Sequence, residues 1–501
     1  MKTDLITKIQ LLIDNLKDKL QIDDRLAQLT LDSMLQINAD ITLDFMQAVQ
    51  RHDSVTSRIL SRTIYERSVF ILFILYNKEE MVSRAQLFYH SSILRQYLWV
   101  NYICQKPQNF QKVDLFLKSY AKQNAWCKKN LHQDLLNVIQ ERITEEREAF
   151  NKIECKANYC NLNEFKRDDR RKTWYRVNPD VWGKGTKISG IADVSRLVLN
   201  DPNNYCYKLF YGFNSLFTHG YYIDSIDNNN LLSPDRLNVY VKLITGILFG
   251  IADSLSEISK LSQKEIQELQ LLKQQVKKLF KIKPRLLLPN KSKNIDVVDG
   301  QAWSYYQKQV QQTVTAYQFL RSQNRNQSAR ILLRSLNEQW VGYRWILKQP
   351  TKELQQKMFQ RLVLTERIQL LKDIRLLAPQ NSVQKINRLL IQLNNKYEEM
   401  AQEVMSDRTL AKDKAHQRWF AVDKNDNAVS VKTLRSMEQQ VLDNGNVYYM
   451  YANGFHSVHA HGINLGLSFK LNKKDDVFLL DDVNNMKIAD QLVELLTKTE
   501  N

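Results

Sequence analysis

Glycine and proline are scarce in this chain, with 13 glycines and 8 prolines among 501 residues. Together they fall well below the combined share of about 12% in an average protein. Tight turns need these residues, so few are expected, and long helices are favoured. The scarcity argues against β-sandwiches, propellers and glycine-rich nucleotide-binding folds.

Cysteine is also sparse, and the five cysteines form no Cys-x-x-Cys pair. The sequence therefore predicts neither a disulfide framework nor a zinc site. The first twelve residues mix charged with apolar side chains and lack a cleavage site of small residues, as in an amphipathic helix rather than a signal peptide. No apolar run reaches the roughly 18 residues of a membrane span. We therefore expect a cytoplasmic protein without membrane contact.

Positive charge is in surplus, because 72 Lys and Arg face 54 Asp and Glu, a formal net charge of +18. Such a surplus predicts attraction to polyanions but says nothing about the fold. Nucleic acid or an acidic protein is the expected partner. The chain is 43% hydrophobic, which is enough to build a substantial core.

An internal repeat is the main pattern in the sequence. Residues 58–75 align without a gap to residues 330–347, and eight of the eighteen positions are identical. A second pair of stretches, 212–220 and 454–462, shares Gly-Phe-x-Ser-x-x-x-His-Gly. The tryptophan-aromatic pairs Trp174-Tyr175 and Trp419-Phe420 fall between these matches in both halves. The order of matches indicates a duplication, with about 30 extra residues in the first copy.

Helical spacing of apolar residues dominates both copies, so we predict an all-α fold. The predicted domains are 1–284, the longer first copy, and 301–501, the second copy, joined by a linker at 285–300. A duplication kept in one chain typically forms a pseudo-symmetric pair. The sequence thus predicts two related helical bundles packed as an intramolecular pseudo-dimer. The only strand candidates are 467–471 and 476–480.

Each copy has an Arg-x-x-x-Glu helix, carrying Arg62 and Glu66 in the first and Arg334 and Glu338 in the second. Residues four apart share a helix face, so each pair can form an ion pair. One interpretation is an ordinary ion pair that holds the bundle together. The other is an arginine that binds phosphate and is oriented by the glutamate.

Each copy also has a serine and a histidine four residues apart, Ser215 with His219 and Ser457 with His461. A glycine follows each histidine, as is common just beyond a helix end. The helix dipole favours a protonated histidine there, which suits an acid or an anion contact. A capped helix end with a buried histidine is the structural alternative.

The order of these motifs resembles that of an uncharacterised bacterial family known as a domain of unknown function. More distantly, the pattern is similar to the HEPN superfamily of all-helical bundles, which includes RNA-cutting toxins and phage-defence nucleases with an Arg-x(4–6)-His motif. No arginine precedes His219 or His461 at that spacing, so Arg62 and Arg334 would supply the cation from another helix.

The HEPN resemblance implies a bacterial antiviral-defence or toxin ribonuclease that works without a metal ion. Cleavage of RNA needs a base, an acid and cations for the phosphorane. His219 and His461 would act as base and acid, supported by Ser215 and Ser457, and the arginines would hold phosphate. The alternative is a non-catalytic scaffold or sensor that binds a protein partner encoded nearby.

A basic segment interleaved with aromatic residues lies in the longer part of the first copy, which suits backbone neutralisation and base stacking. Its alternative is a solvated loop whose Trp174 belongs to the core. A metal site at His456 and His459 is not expected, since the first copy lacks the matching histidines. We therefore predict no cofactor. The candidate nucleic-acid-binding residues are Lys166, Arg167, Arg170, Arg171, Lys172 and Arg176.

Overall fold

The protein is described by a computed structural model. It describes residues 2–104, 131–153, 174–175, 188, 190–213, 234–281, 300–377, 380–404, 419–422, 431, 433–441, 486, 489–490 and 493–494.

We call the first copy of the repeat the first segment and the second copy the second segment. Most described residues of the first segment are helical. After α6, a short helical stretch, Tyr205–Tyr207, continues as a π-helix, Lys208–Phe213. The longer helices are α1 (Lys2–Lys19), α2 (Arg25–Gln50), α3 (Ser54–Leu75), α4 (Met81–Cys104), α5 (Leu131–Lys152), α6 (Ile191–Val198), α7 (Pro234–Ile258) and α8 (Gln263–Lys281).

The second segment is helical as well. Among the residues that the structure describes, extended structure is limited to isolated bridge residues: Ile188, and Val422 with Val431, which pair with each other in antiparallel orientation. The all-α prediction is therefore confirmed; the strand candidates at 467–480 lie outside the described residues. The helices are α9 (Gly300–Ser322), α10 (Asn326–Leu347), α11 (Lys352–Leu377), α12 (Gln380–Val404) and α13 (Leu434–Val441).

The spacing of apolar residues predicts one helix over 2–49 and another over 234–282, but the structure divides each of them in two. The first breaks before α2, where the Asp24 side chain accepts a hydrogen bond from the backbone N–H of Ala27 at 2.7 Å. The second breaks before α8, where Glu265 accepts hydrogen bonds from the backbone and hydroxyl groups of Ser262. Both breaks lie at side chains that cap the N-terminus of the next helix. Continuous apolar spacing concealed them, because capping depends on one or two polar residues.

The repeat is visible in the helices α3 and α10, which are both 22 residues long and begin at positions separated by the offset of the sequence match, 326 − 54. α6 and α13 are likewise both 8 residues long. α3 packs against α10, and α2 and α9 each pack against the Arg-x-x-x-Glu helix of the other segment. One hydrophobic core contains residues of both segments.

A buried contact joins the two segments at the start of α10. Asp44 of α2 accepts a hydrogen bond from the hydroxyl of Ser328, in the first turn of α10, at 2.6 Å. At the start of α3 the chain uses its own Asp53, which accepts from the backbone N–H of Thr56 at 3.0 Å. The second segment has Arg325 at the position that matches Asp53. The aspartate that hydrogen-bonds to the first turn of α10 therefore comes from the first segment.

The tryptophans that occur at matching places in the two copies belong to the core. Trp174 is buried and contacts the rings of Phe70, Phe73 and Phe88, with ring centroids 5.1–5.7 Å apart. Trp419 is buried to the same degree. The core interpretation of Trp174 is therefore the right one, and this ring is not available to stack on a nucleotide base.

One stretch, Leu237–Ile258 within α7, is long and apolar enough by length and composition to cross a membrane. This helix packs against α1 and α3, and more than half of the stretch is buried inside the protein. Packing against two core helices accounts for its apolar composition.

Candidate functional site

The first Arg-x-x-x-Glu pair lies inside the protein. Nε of Arg62 donates to Oε1 of Glu66 at 2.8 Å, and the two side chains are 1% and 2% exposed. α3 is buried along its whole length after its first residue, so the expected polar stripe faces protein rather than solvent. This burial was not predictable from the sequence, because a polar stripe beside an apolar one is the usual pattern of a surface helix.

The second pair repeats the arrangement with a looser contact. Nε of Arg334 lies 3.3 Å from Oε1 of Glu338, and the side chains are 9% and 1% exposed. Arg334 thus lies closer to the surface than its counterpart. In both copies the glutamate orients the arginine, as the sequence spacing predicts.

Arg62 remains charged in this environment. Burial disfavours the charge, but Glu66 and Tyr211 together hold the pKa of the Arg62 guanidinium above its usual value. Desolvation of such a pair is costly, and the attraction of its partners offsets that cost only while both are present. Loss of either partner would leave a buried charge uncompensated.

Tyr211, on the π-helix, brings a third group to this pair. Its ring lies under the Arg62 guanidinium, with 4.3 Å between the guanidinium carbon and the ring centroid, and its hydroxyl hydrogen-bonds to Arg62. The positive charge of Arg334, on α10, also opposes the rise in the pKa of Tyr211. Tyr211 thus contacts Arg62 of its own segment, and its pKa responds to an arginine of the second segment as well.

The two tyrosines of this turn remain protonated at neutral pH. Burial raises the pKa of Tyr211, the charge of Glu66 raises it further, and Arg62 and Arg334 oppose the rise. Tyr207 stacks on Tyr211 with 4.9 Å between ring centroids, and burial raises its pKa to about 12. Both hydroxyls are therefore hydrogen-bond donors.

A second polar contact follows each arginine at matching positions. In the first segment the Tyr65 hydroxyl donates to the Ser195 hydroxyl oxygen at 2.6 Å, between α3 and α6. In the second, Nδ2 of Asn337 donates to Oε1 of Glu438 at 3.1 Å, between α10 and α13. The repeat thus keeps the place of the contact while changing the residues that make it.

Glu438 is the most unusual carboxyl group in this region. It is fully buried, and burial raises the pKa of Glu438 well above its usual value, with the neighbouring charge of Glu338 adding to the rise. Burial and the nearby Glu338 thus both favour the protonated form of this carboxyl group. Carboxyl groups with strongly raised pKa values are common in acid–base sites and also occur in structural networks.

Four of the predicted site residues are described: Arg62 with Glu66 on α3 and Arg334 with Glu338 on α10, two helices that pack against each other. The other predicted catalytic residues and the six basic candidates lie outside the described residues, as do His456 and His459. Within the part of the chain that the structure describes, no three His, Cys, Asp or Glu side chains are grouped so as to hold a metal ion. The residues outside that part are Ser215, His219, Ser457, His461, Lys166, Arg167, Arg170, Arg171, Lys172 and Arg176.

Sequence reasoning missed Tyr211 and Glu438. Tyr207 has a tyrosine counterpart in the second copy, Tyr449, but the position that matches Tyr211 holds Asn453. Glu438 likewise corresponds to Ser195. Comparison of the two copies emphasises residues that are the same, so these two side chains gave no signal.

A family of unknown function, DUF5677, matches residues 45–235. The chain matches no curated protein and no solved structure. The matched stretch contains Arg62, Glu66 and Tyr211, and also Ser215 and His219. The resemblance to a domain-of-unknown-function family is thus confirmed for the first segment, which carries the sequence pattern of a family whose function is unknown.

Proposed function

We propose that this protein engages RNA in the cytoplasm and cleaves it without a metal ion, as the HEPN resemblance implies. In this proposal the two Ser-x-x-x-His-Gly segments supply the acid and the base. The surplus of positive charge supports attraction to the RNA backbone. The basic residues 166–176 would contact that backbone.

The contact between Tyr211 and Arg62 is the observation that carries the proposal. Tyr211 belongs to a π-helix, a rare form that is frequent at functional sites. Ser215 follows Tyr211 by four residues in the sequence. The first Ser/His motif is therefore close in sequence to a side chain that contacts Arg62.

The chemistry requires few groups. One histidine would take the proton of the 2′-hydroxyl, and the other would protonate the leaving 5′-oxygen, so that a 2′,3′-cyclic phosphate and a 5′-hydroxyl form. Arginine charge would stabilise the phosphorane between them. Each segment would provide one histidine, so both copies would be needed.

Incubation of the purified chain with labelled single-stranded RNA, with and without EDTA, tests the proposal. We expect cleavage that resists EDTA and is lost in the His219→Ala/His461→Ala double variant. His52→Asn is the control, because His52 is exposed and has a φ of 57°, a conformation that asparagine tolerates. Cleavage that survives in the double variant, or that EDTA abolishes, would contradict the proposal.

A second candidate function is the scaffold that binds a partner protein. The burial and pairing of Arg62–Glu66 and of Arg334–Glu338 favour it, because internal ion pairs of this kind can serve the fold alone. Replacing both members of one pair, as in Arg62→Met/Glu66→Leu, separates the two functions. A scaffold would keep its stability and show no RNA cleavage before or after the change; a nuclease would lose activity while remaining folded.

A further inference from the structure

We infer that the C-terminal half of α8 carries a binding surface for single-stranded RNA, in which Lys277 and Lys278 bind phosphates and the ring of Phe280 stacks on a base. These three side chains are called the α8 surface. The inference rests on the proposed engagement of RNA for the identity of its ligand. It adds a site that lies beyond residue 235, outside the stretch that matches the family.

The acidic and basic residues of α8 differ in their exposure. Glu265 is buried and forms an ion pair with Lys19 at 2.5 Å, and Glu268 is half-buried. Among the described side chains of this helix, the exposed ones are four lysines, four glutamines, one leucine and one phenylalanine. They thus present cations and amide donors to solvent but no carboxylate. Both kinds of group are common contacts to a nucleic-acid backbone.

The charges of Lys277 and Lys278 are not balanced by a nearby carboxylate. Lys273, one turn earlier, lies 3.4 Å from a carboxylate oxygen of Asp253 on α7. In the part of the chain that the structure describes, Lys277 and Lys278 form no ion pair. Glu268 precedes Lys277 by nine residues, about 14 Å along a helix, which exceeds the screening length of about 8 Å at physiological ionic strength. This end of α8 therefore attracts anions.

Phe280 is an exposed aromatic residue whose ring is held by a neighbouring helix. A methyl group at Gly246 of α7 would come within 2.8 Å of Cζ of Phe280, so the tip of the ring lies against that helix. The residue nevertheless remains 46% exposed. Lys277 precedes Phe280 by three residues and therefore lies on the same side of α8. A cation beside a held, open ring can bind the phosphate and the base of a nucleotide.

The positions of the apolar residues favour RNA over a lipid surface. A helix that binds a membrane places a continuous apolar face in the bilayer. The apolar side of α8, which includes Leu272 and Val276, is buried in the protein, where α8 packs against α7 and α1. Its two exposed apolar residues, Leu271 and Phe280, are nine residues apart and so lie on opposite sides of the helix. A single strand needs only cations and a stacking ring.

The double variant Lys277→Gln/Lys278→Gln tests the phosphate contacts and leaves the core unchanged, since both side chains are exposed. Affinity is measured at several salt concentrations for a labelled single strand whose 2′-hydroxyls are methylated, so that binding is observed without cleavage. The slope of log affinity against log salt should fall in magnitude by about 1.4, because each phosphate contact on a single strand contributes about 0.7. Lys352→Gln/Lys385→Gln, at exposed positions of α11 and α12, is the matched control and should keep the wild-type slope.

Phe280→Ala tests the stacking contact separately. Its affinity for the same RNA should fall at least about fivefold, the lower limit for a base stacked on an aromatic ring, while the salt slope stays at the wild-type value. Leu271→Ala is the matched control, because Leu271 is 56% exposed on the opposite side of the same helix and should not contact the strand. Urea unfolding curves of every variant establish that it folds.

The outcomes separate the inference from the proposed function. If RNA binds equally to the wild type, to Lys277→Gln/Lys278→Gln and to Phe280→Ala, the inference is wrong and RNA engagement stands. If binding depends on the α8 surface but the wild type cleaves no unmodified RNA, the inference is supported and the proposed cleavage is wrong. A wild type that binds no RNA overturns both. If the lysine variant loses binding to vesicles of anionic phospholipid and keeps its affinity for RNA, a lipid surface is the partner and the inference is overturned.

Discussion

The buried carboxyl of Glu438 makes the stability of this protein depend on pH, and Glu438→Gln should remove that dependence. Glu438 is fully buried, and its Oε1 accepts a hydrogen bond from Asn337 at 3.1 Å. Glutamine has the same shape and keeps an oxygen that can accept this bond. It therefore reproduces the neutral carboxyl of the folded protein and cannot ionise.

The sign follows from the pKa of Glu438, which is raised in the folded protein by burial and by the charge of Glu338. The stability gained from keeping the carboxyl neutral is fully present below the pKa of the unfolded chain, 4.5. It is lost as pH rises towards the folded pKa. Between the two pKa values the loss amounts to about 1.4 kcal/mol for each pH unit. The wild type should thus lose stability relative to the variant as pH rises from the unfolded pKa towards the folded one.

Urea unfolding of wild type and Glu438→Gln, at several pH values from about 5 to about 7, measures this difference in the free energy of unfolding. All other titrating groups are common to both proteins, so the difference isolates Glu438. Glu148→Gln, at an exposed position of α5, controls for the loss of one carboxyl group. A difference between wild type and Glu438→Gln that stays constant across this range would refute the reasoning, since it would mean that Glu438 does not change its protonation on unfolding.

Two glycine substitutions and the substitution of Asp44 give further predictions. Gly342→Ala should lower the free energy of unfolding by about 1 kcal/mol, because the new methyl would lie 3.2 Å from the buried ring of Trp419, and overpacking outweighs the better helix propensity of alanine. Gly250→Ala should raise the free energy of unfolding by up to about 1 kcal/mol, because its methyl would meet its nearest neighbour, Leu72, only at 3.8 Å. If chemical denaturation shows that both glycine substitutions change the free energy of unfolding in the same direction, this account is contradicted. Asp44→Ala should cost about 1–3 kcal/mol, because the buried Ser328 hydroxyl loses its acceptor, whereas Asp44→Asn should cost less; equal losses in thermal unfolding would argue against that hydrogen bond.

The helices were predictable because their signals are local. The spacing of apolar residues predicts helices over 54–76, 79–104, 327–347, 351–377 and 381–405, which match α3, α4, α10, α11 and α12 to within two residues at each end. Helix breaks were not predictable at that level, because they depend on single capping side chains such as Asp24. The ion pair of Arg62 with Glu66 was predictable too, since a spacing of four residues suffices to bring two side chains together on a helix.

The surroundings of those pairs were not predictable. Whether an Arg-x-x-x-Glu stripe faces solvent or the core depends on which helices cover it, and no local pattern encodes that. Tyr211 is distant from Arg62 in sequence and reaches it only because the π-helix packs on α3. The prediction of an intramolecular pseudo-dimer, with domains at 1–284 and 301–501, remains a prediction.

The sequence by itself determined the helical fold, the duplicated Arg-x-x-x-Glu helix and the positive charge, because each follows from composition or from residues close together in the chain. Only the tertiary structure decided that both pairs are buried, that the ring of Tyr211 lies under Arg62, and that Asp44 of one segment contacts the first turn of α10 in the other. These contacts join residues from separate helices, and the free energy that selects them comes from burying the shared core.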